Sequence, residues 1–224
     1  MSKNLKEAFA AINNVRGWWS QEIEGSAERR DRAFREALTW QDFLGEMRTN
    51  KAATEANYAA YELEAEDRAI TDRWPEFDVL AITMDWCGDS AANLPLFAKL
   101  ERLTGRIKLR ILLRDPGNQD LAALYPHSDG DVHIPIYIFF DRGGRELGHF
   151  IERTPELDVE LEGMVARYRA AHPELPGKGF DISALAPEAR AAFFAHLGVE
   201  RPKFRDLEKR SILRTVDGIV GGRE

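Results

Sequence analysis

A single cysteine lies in the segment of this sequence that is best suited to chemistry. Cys87 is part of Thr-Met-Asp-Trp-Cys-Gly-Asp-Ser, between a short apolar run and a stretch with helical spacing. At the start of a helix, unpaired backbone N–H groups and the positive end of the helix dipole favour a thiolate. We therefore expect the pKa of Cys87 to lie below its ordinary value, although the charge of Asp89 opposes that shift.

Several polar side chains could modify the reactivity of this thiol. Asp85 and Asp89 flank the predicted helix start, either as caps or as a carboxylate pair for acid–base or metal chemistry. Arg114 follows a later strand and either reaches the face that holds Cys87 or forms a structural ion pair with a neighbouring loop. His133 either favours the thiolate or is a surface histidine. The other histidines show no ligand spacing, so no metal site is expected: His127, His149, His172 and His196.

The elements that must position these residues follow from the spacing of apolar side chains. Strands are predicted at 77–84, 107–113, 135–140 and 146–150. Helices are predicted at 88–103, 119–125 and 156–171. The strand–helix–strand order over 77–113 predicts that the first two strands are parallel. The short turn between the strands at 135–140 and 146–150 predicts a hairpin. We therefore predict an α/β fold with a mixed four-stranded sheet flanked by helices.

Helical extensions are predicted on both sides of this α/β core. We assign residues 1–75 to an N-terminal extension, 76–172 to the core and 173–224 to a C-terminal extension. Within the extensions, helices are predicted at 34–43, 50–70, 185–197 and 202–217, with a linker at 173–180.

Pro95 lies inside the predicted helix that follows Cys87. A proline at such a place removes a backbone hydrogen bond and kinks the helix, at a cost of about 3 kcal/mol. We therefore expect another part of the fold to support the helix near this residue.

These residues together resemble the active site of thioredoxin. Trp86-Cys87-Gly88-Asp89-Ser90 is similar to the Trp-Cys-Gly-Pro-Cys motif, and the order of elements over 76–171 is that of the thioredoxin fold. Pro95 corresponds to the proline that kinks the active-site helix of that family, and Ile134-Pro135 to its Ile–cis-Pro pair. The chain resembles more closely a group of bacterial thioredoxin-like proteins with Trp-Cys-Gly-Asp and a small residue. That likeness includes Leu112-Leu113-Arg114-Asp115 and extends to about Asn50.

The resemblance implies a thioredoxin-like fold and a set of site residues. The implied catalytic residues are Cys87, Ser90 and Pro135, and the implied substrate-binding residues are Trp86, Gly88 and Ile134. A cis peptide bond before Pro135 is expected, facing a sulfur that is open to water. Trp86 would offer an apolar platform, Gly88 would permit close approach, and the backbone before Pro135 would hold an incoming segment as an added strand.

The sequence departs from the thioredoxin pattern at three residues. Ser90 stands where thioredoxin has its second cysteine, so the two-cysteine disulfide cycle cannot run. Ala81 replaces a buried carboxylate, and Asp89 replaces the proline of the motif. With these departures, chemistry that uses one thiol remains possible. Cys87 would attack a mixed disulfide, and a second small thiol would then release Cys87.

The function that we predict is a monothiol thiol–disulfide oxidoreductase. It would act on protein or small-molecule mixed disulfides, with a small-molecule thiol as co-reductant and no bound cofactor. The main alternative is a non-catalytic binding or scaffold protein in which Cys87 is a relic or a regulatory thiol. Two further alternatives are an iron–sulfur cluster carrier, since Cys-Gly-Asp-Ser has the spacing of monothiol glutaredoxins, and a peroxide-reactive cysteine.

Composition excludes other classes of protein and site. One cysteine among 224 residues excludes an intramolecular disulfide and an all-cysteine metal site within the chain. The net charge of −7 is spread evenly, which argues against a nucleic-acid partner. No run approaches the ~20 apolar residues of a membrane span, and the N-terminus lacks a signal-peptide pattern. We therefore expect a cytoplasmic protein without a membrane partner; the sequence does not indicate its oligomeric state.

Overall fold

Four strands form a mixed sheet in the computed structural model of this chain, which describes residues 26–175, 182 and 185–221. They are β1 (Phe77–Thr83), β2 (Ile107–Leu113), β3 (Ile136–Asp141) and β4 (Glu146–Ile151), in the spatial order β2-β1-β3-β4. The β1 strand pairs in parallel with β2 and antiparallel with β3, and β3 pairs antiparallel with β4. The predicted α/β fold is confirmed, and each strand lies within one residue of its predicted bounds.

Helices connect and flank these strands. The link between β1 and β2 is α5 (Gly88–Thr104), and α6 (Gln119–Ala122) precedes β3. The described helices before β1 are α1 (Ser26–Glu36), α2 (Trp40–Glu46), α3 (Lys51–Ala60) and α4 (Ala65–Thr71). The helices after β4 are α7 (Pro155–Ala171), α8 (Pro187–Glu200), a 3₁₀ helix (Arg201–Phe204) and α9 (Arg205–Val220). None of the described helices combines the length and the apolar composition that a membrane crossing requires.

The chain divides into two compact units. Among the described residues, one unit contains those up to Glu152 together with those from Leu213 onwards, and the other contains those between Arg153 and Ile212. The whole sheet and α1 to α6 belong to the first unit. The three-part division at residues 75 and 172 stays a prediction. The first 25 residues of the N-terminal extension and most of the linker predicted at 173–180 lie outside the described residues.

The central strand β1 is buried on both faces and leads directly to Cys87. All of its residues except Asp78 are buried, which explains why this part of the sequence is a nearly continuous apolar run. Ala81 is fully buried within it. The strand ends at Thr83, whose carbonyl accepts a hydrogen bond from the Arg114 N–H at 3.0 Å, just beyond β2. This pairing fixes the end of β1 from which the chain continues into α5.

An antiparallel bridge joins Leu38 to Ile111 on the outer edge of β2. The Leu38 N–H donates to the Ile111 carbonyl at 2.7 Å, and the Ile111 N–H donates to the Leu38 carbonyl at 2.9 Å. Leu38 lies between α1 and α2, so the helix predicted at 34–43 is interrupted there. That prediction was wrong because the unpaired backbone groups of an edge strand compete for the hydrogen bonds of Leu38.

The continuous helix predicted at 50–70 is also broken. In the structure α3 ends at Ala60 and α4 begins at Ala65. Glu64 starts the second helix with a capping box, in which its N–H donates to the Asp67 carboxylate at 2.9 Å and its side chain accepts from the Asp67 N–H. Within an alanine-rich stretch, these two acids look like ordinary surface residues of one helix, so the break was missed.

The N-terminal extension supplies the support that Pro95 requires. Pro95 has no N–H to donate to the carbonyl of Ala91, four residues earlier. The Asn57 side-chain amide donates to that carbonyl at 2.9 Å, and the Tyr61 hydroxyl donates to the carbonyl of Ala92 at 3.1 Å. The expected support of the kinked helix is therefore confirmed, and it comes from α3 and the residue that follows it.

Replacing Asn57 with leucine is expected to lower the free energy of unfolding by about 1–3 kcal/mol, because the Ala91 carbonyl would lose this donor while staying buried. The loss should shrink in a Pro95→Ala background, where residue 95 regains an N–H that can donate to Ala91. Urea denaturation of the wild type, the two single variants and the double variant measures the coupling energy between residues 57 and 95. Glu55→Leu, on the exposed side of α3, is the matched control. Equal losses in both backgrounds would contradict the assigned role of Asn57.

Candidate functional site

Cys87 is the N-cap residue of α5, with an extended backbone at φ −75° and ψ 120°. Its N–H donates to the Met84 carbonyl at 3.2 Å, and its own carbonyl accepts from the Ala91 N–H at 3.0 Å. These two bonds join the turn after β1 to the first turn of the helix. The predicted position of the thiol at a strand-to-helix junction is therefore confirmed.

The thiol faces the segment that leads into β3. The Cys87 S–H donates to the carbonyl oxygen of Ile134 across 3.2 Å. The peptide bond between Ile134 and Pro135 is cis, as expected from the resemblance. The structure thus brings together the sulfur and the residue that precedes the cis proline, although they are 47 residues apart in the chain.

The side chain of Cys87 is buried, with 7% of the residue's surface exposed. The predictions of a water-exposed sulfur and of a lowered pKa are both wrong. Burial raises the pKa of Cys87, and the negative charge of Asp89 raises it further. A side-chain hydrogen bond with Ser90 and the backbone N–H groups of Asp89 and Ser90 act in the opposite direction but do not offset burial.

The rate of Cys87 alkylation by iodoacetamide is expected to rise with a midpoint above that of an ordinary cysteine, about pH 8.5, because burial favours the neutral thiol. Asp89→Asn should lower the midpoint, since it removes the charge that opposes the thiolate. Glu55→Gln is the control for a change of net charge. The pH dependence of the second-order rate constant gives the midpoint, and one at or below the ordinary value contradicts the prediction.

The same pKa shift has a defined effect on folding stability. Between the two pKa values of Cys87, the unfolded thiol is ionised while the folded thiol keeps its proton. The stabilisation from this group is therefore complete below the unfolded pKa and is lost as the pH rises through the folded pKa.

Ser90 is buried in the first turn of α5 and connects that helix to β1. Its hydroxyl is hydrogen-bonded to the Thr83 hydroxyl, at the last residue of the strand. The Ser90 side chain also lowers the pKa of Cys87, against the larger effect of burial. Ser90 therefore lies beside the thiol, in the place of a resolving cysteine, and can support its charge but cannot form a disulfide with it.

Trp86 gives the site an exposed aromatic face. About half of this residue's surface (51%) is accessible, and the guanidinium of Arg114 lies 5.5 Å from the centre of the ring. Arg114 also donates to the Asp115 carboxylate at 2.7 and 3.1 Å, and this pairing lowers the pKa of Asp115. Arg114 thus lies on the face of the site, beside Trp86, and its ion pair is with the next residue in the chain rather than with a neighbouring loop.

Arg114 and Asp115 also line a cavity of about 380 Å³. Its other lining residues are Gln119, Asp120, Ala122, Ala123 and Val132. The peptide bond between Asp115 and Pro116 is cis, which the sequence did not predict. Arg114 therefore lies both against the Trp86 ring and at the wall of this cavity.

Asp85 anchors the N-terminal extension next to the thiol. Its carboxylate accepts the backbone N–H groups of Arg48 at 2.8 Å and Thr49 at 3.0 Å, and the Asn50 amide donates to its carbonyl at 3.1 Å. Asn50 has a left-handed φ of 57°, which asparagine tolerates better than most residues. These contacts favour the structural alternative for Asp85 over acid–base chemistry.

Gly88 and Ile134 border the thiol on different elements. Gly88 is the first residue of α5, and a Cβ built on it would meet open space. Internal packing therefore does not require glycine there, and room exists for a close approach. Ile134 is buried, and the carbonyl of the next residue, Pro135, accepts the Glu152 N–H at 2.8 Å.

His133 lies next to Ile134 in the chain but is held by carboxylates. Its Nδ1 is 3.0 Å from Glu152 Oε2, and its Nε2 is 2.9 Å from Asp129 Oδ2. Both ring nitrogens are thereby engaged, which does not support the alternative in which His133 favours the Cys87 thiolate. Glu152 was missed from the sequence because it lies 19 residues after His133, beyond the β3–β4 hairpin.

Comparisons with known proteins agree with the fold described above. The solved structures that are similar to the chain include a protein of unknown function from Pseudomonas aeruginosa and an HIV epitope-scaffold. The first is 20% identical with a TM-score of 0.52, over 83% of this chain and 95% of that one. The second is 19% identical with a TM-score of 0.53, over 87% of this chain and 98% of that one. At these identities the likeness shows the fold alone.

No curated protein matches the chain. A family model described as Thioredoxin matches residues 37–166, which is more than half of the chain. The match begins just before α2 and includes the thiol, the cis proline and all four strands. The chain therefore belongs to the thioredoxin family.

Proposed function

We propose that this protein is a monothiol thiol–disulfide oxidoreductase that reduces mixed disulfides through Cys87, with a small thiol of the glutathione or bacillithiol type as co-reductant. The observation that carries the proposal is the 3.2 Å contact between the Cys87 sulfur and the carbonyl of Ile134, the residue before cis-Pro135. It places the sulfur beside a backbone segment that can pair with an incoming peptide. Because Ser90 offers no second thiol, the reducing electrons come from outside the chain.

The proposed reaction has two exchange steps. The Cys87 thiolate attacks the small-thiol sulfur of a mixed disulfide, so that a new S–S bond forms on Cys87 while the old one breaks and the substrate leaves as a thiolate. A second small-thiol anion then attacks the sulfur bound to Cys87 and releases the Cys87 thiolate. The two small thiols leave as their own disulfide, so two electrons reach the substrate and a proton neutralises its thiolate.

The raised pKa of Cys87 is compatible with this chemistry. Each pKa unit above ambient pH lowers the thiolate fraction about tenfold, but a Brønsted coefficient of about 0.4–0.5 raises the nucleophilicity of that thiolate about threefold. Each pKa unit therefore lowers the rate of thiol–disulfide exchange by only about threefold to fourfold. We expect exchange to be slow at neutral pH and to become faster as the pH rises.

The direct test is to mix the reduced full-length chain with a protein–glutathione mixed disulfide and to follow both proteins by mass spectrometry. We expect a glutathione adduct on Cys87 while the substrate is reduced, and loss of that adduct when free glutathione is added. Substrate reduction no faster than with glutathione alone, together with unmodified Cys87, would overturn the proposal.

Gly88→Ala is expected to slow exchange with a protein mixed disulfide about tenfold, because the added methyl group would occupy the open space beside the thiol. Stability should be unchanged or slightly higher, since alanine favours a helix over glycine by up to about 1 kcal/mol. Alkylation by small iodoacetamide should change little. Gly198→Ala, in α8 and also with open space around its Cβ, is the matched control. An equal slowing in both variants would refute a role of Gly88 in substrate approach.

A second candidate is a non-catalytic binding protein, which the burial of Cys87 favours. In that case the half-exposed Trp86 and the neighbouring Arg114 would contact a partner without any thiol chemistry. The mass-spectrometric experiment separates the two candidates. Folded protein in which Cys87 reacts with neither the mixed disulfide nor iodoacetamide would support binding over catalysis.

A further inference from the structure

The loop between α6 and β3 brings two imidazoles and a carboxylate together. One ligand atom from each of His127, Asp129 and His133 lies within 4.8 Å of the other two. Asp129 Oδ2 is 3.4 Å from His127 Nδ1 and 2.9 Å from His133 Nε2. The centres of the two imidazole rings are 4.5 Å apart. Two nitrogen ligands and one oxygen ligand therefore converge on one point of the loop.

The spacing of these atoms fits a zinc ion. With bonds of about 2.0–2.1 Å, two ligand atoms on a tetrahedral zinc lie about 3.3 Å apart. The distances of 2.9 and 3.4 Å from the Asp129 carboxylate lie on either side of that value. Imidazole with carboxylate suits zinc and related transition metals, whereas magnesium and calcium prefer oxygen ligands. Three protein ligands leave a fourth position for water.

Glu152 provides the support that a metal-binding histidine usually has. It holds Nδ1 of His133 at 3.0 Å, which turns Nε2 towards Asp129 and His127. A carboxylate on the far nitrogen of a metal-bound imidazole fixes the ring and raises its basicity. The Glu152 side chain is 14% exposed, and its backbone has an unusual positive φ of 59°. Its backbone carbonyl accepts the Asn93 amide at 2.7 Å and its N–H donates to the Pro135 carbonyl at 2.8 Å, so the backbone that carries this carboxylate is fixed on both sides.

The loop itself is ordered by short backbone hydrogen bonds. The His127 N–H donates to the Asp131 carbonyl at 2.8 Å, and the Gly130 N–H donates to the His127 carbonyl at 2.9 Å. The Asp131 N–H donates to Asp129 Oδ1 at 2.9 Å. This bond holds one carboxylate oxygen, and the second oxygen faces the two imidazoles.

We propose that His127, Asp129 and His133 bind a divalent transition-metal ion, for which zinc is the best fit, and that Glu152 positions His133 for this role. Among the described residues, the group of ligand atoms that lie within 4.8 Å of one another does not include the Cys87 sulfur, so the proposed site does not use the thiol. The expectation of no metal site rested on sequence spacing alone. His127 and His133 come together because the loop folds back on itself.

Isothermal titration of the full-length protein with zinc chloride tests the proposal. We expect one ion per chain, with affinity at least tenfold lower in His127→Ala and in His133→Ala and no specific binding in the double variant. His172→Ala is the matched control, because His172 also pairs with a carboxylate, that of Glu174 at 3.1 Å. Cys87→Ser should retain the wild-type affinity. Circular dichroism confirms that each variant is folded.

Two further measurements identify the ligands. Cobalt(II) bound in place of zinc should give tetrahedral visible absorption without the charge-transfer band of a metal–sulfur bond. Glu152→Gln should lower zinc affinity about 10- to 100-fold, the effect expected for a residue that orients a ligand. Zinc binding that is equal in the wild type and the histidine double variant, or that is lost in Cys87→Ser, would overturn the proposal.

Discussion

Replacing Cys87 with serine is expected to lower the rate of mixed-disulfide reduction at least about a thousandfold, because no other residue of the chain can form the covalent intermediate. The single cysteine of the sequence excludes rescue by a neighbouring thiol. Serine is nearly the same size, and its hydroxyl can donate to the Ile134 carbonyl as the thiol does. The rate of release of glutathione from a protein mixed disulfide measures the effect.

The fold of the variant must be verified for this comparison to be informative. Thermal unfolding of Cys87→Ser should stay within a few degrees of the wild type, since the site keeps its hydrogen bond and nearly its volume. Comparable rates in the two folded proteins would show that Cys87 takes no part in the reaction. The reduction would then have to be assigned to a contaminant or to glutathione itself.

Ser90→Cys is expected to convert the site into a two-cysteine oxidoreductase. Ser90 is buried in the first turn of α5, three residues after the N-cap Cys87, so a thiol at residue 90 would lie close to the sulfur. A second thiolate can resolve the mixed disulfide within the chain, and the reduction of protein disulfides should then increase about a hundredfold under dithiothreitol. Loss of the hydrogen bond to the Thr83 hydroxyl should cost about 0.5–1.5 kcal/mol.

Mass spectrometry of the oxidised variant gives the second readout. We expect the loss of two hydrogen atoms and no reaction with iodoacetamide, as for an internal disulfide. Thr104→Cys is the matched control, because it adds a cysteine at the other end of α5, about 25 Å from Cys87. If both variants gain the same activity, or if neither forms an internal disulfide, then Ser90 does not occupy the place of a resolving thiol.

Much of the fold follows from local patterns in the sequence. The β1 strand is recognisable because a strand buried on both faces is a short, nearly continuous apolar run. The helix after Cys87 is recognisable from its apolar stripe in spite of Pro95. The cis bond before Pro135 was expected only from the resemblance to thioredoxin, because composition alone gives a low frequency of cis proline.

The features that were missed depend on contacts between distant parts of the chain. The lowered pKa predicted for Cys87 followed from the helix start beside it, whereas its burial depends on segments that no local window contains. Leu38 leaves the helical pattern because the edge of β2 offers it backbone partners. His127 and His133 have no recognisable ligand spacing, and only the turn around Gly130 brings their rings together.

The bridge between Leu38 and Ile111 has a consequence for attempts to isolate the α/β core. A fragment that starts at residue 76 would lack Leu38 and would leave the outward N–H and C=O groups of Ile111 in β2 without these partners. Such a bare strand is a template on which a second molecule can pair, and it promotes aggregation. The segment that contains Leu38 therefore occupies a place where a second molecule could pair with β2, and we expect the shortened protein to aggregate more readily than the full chain.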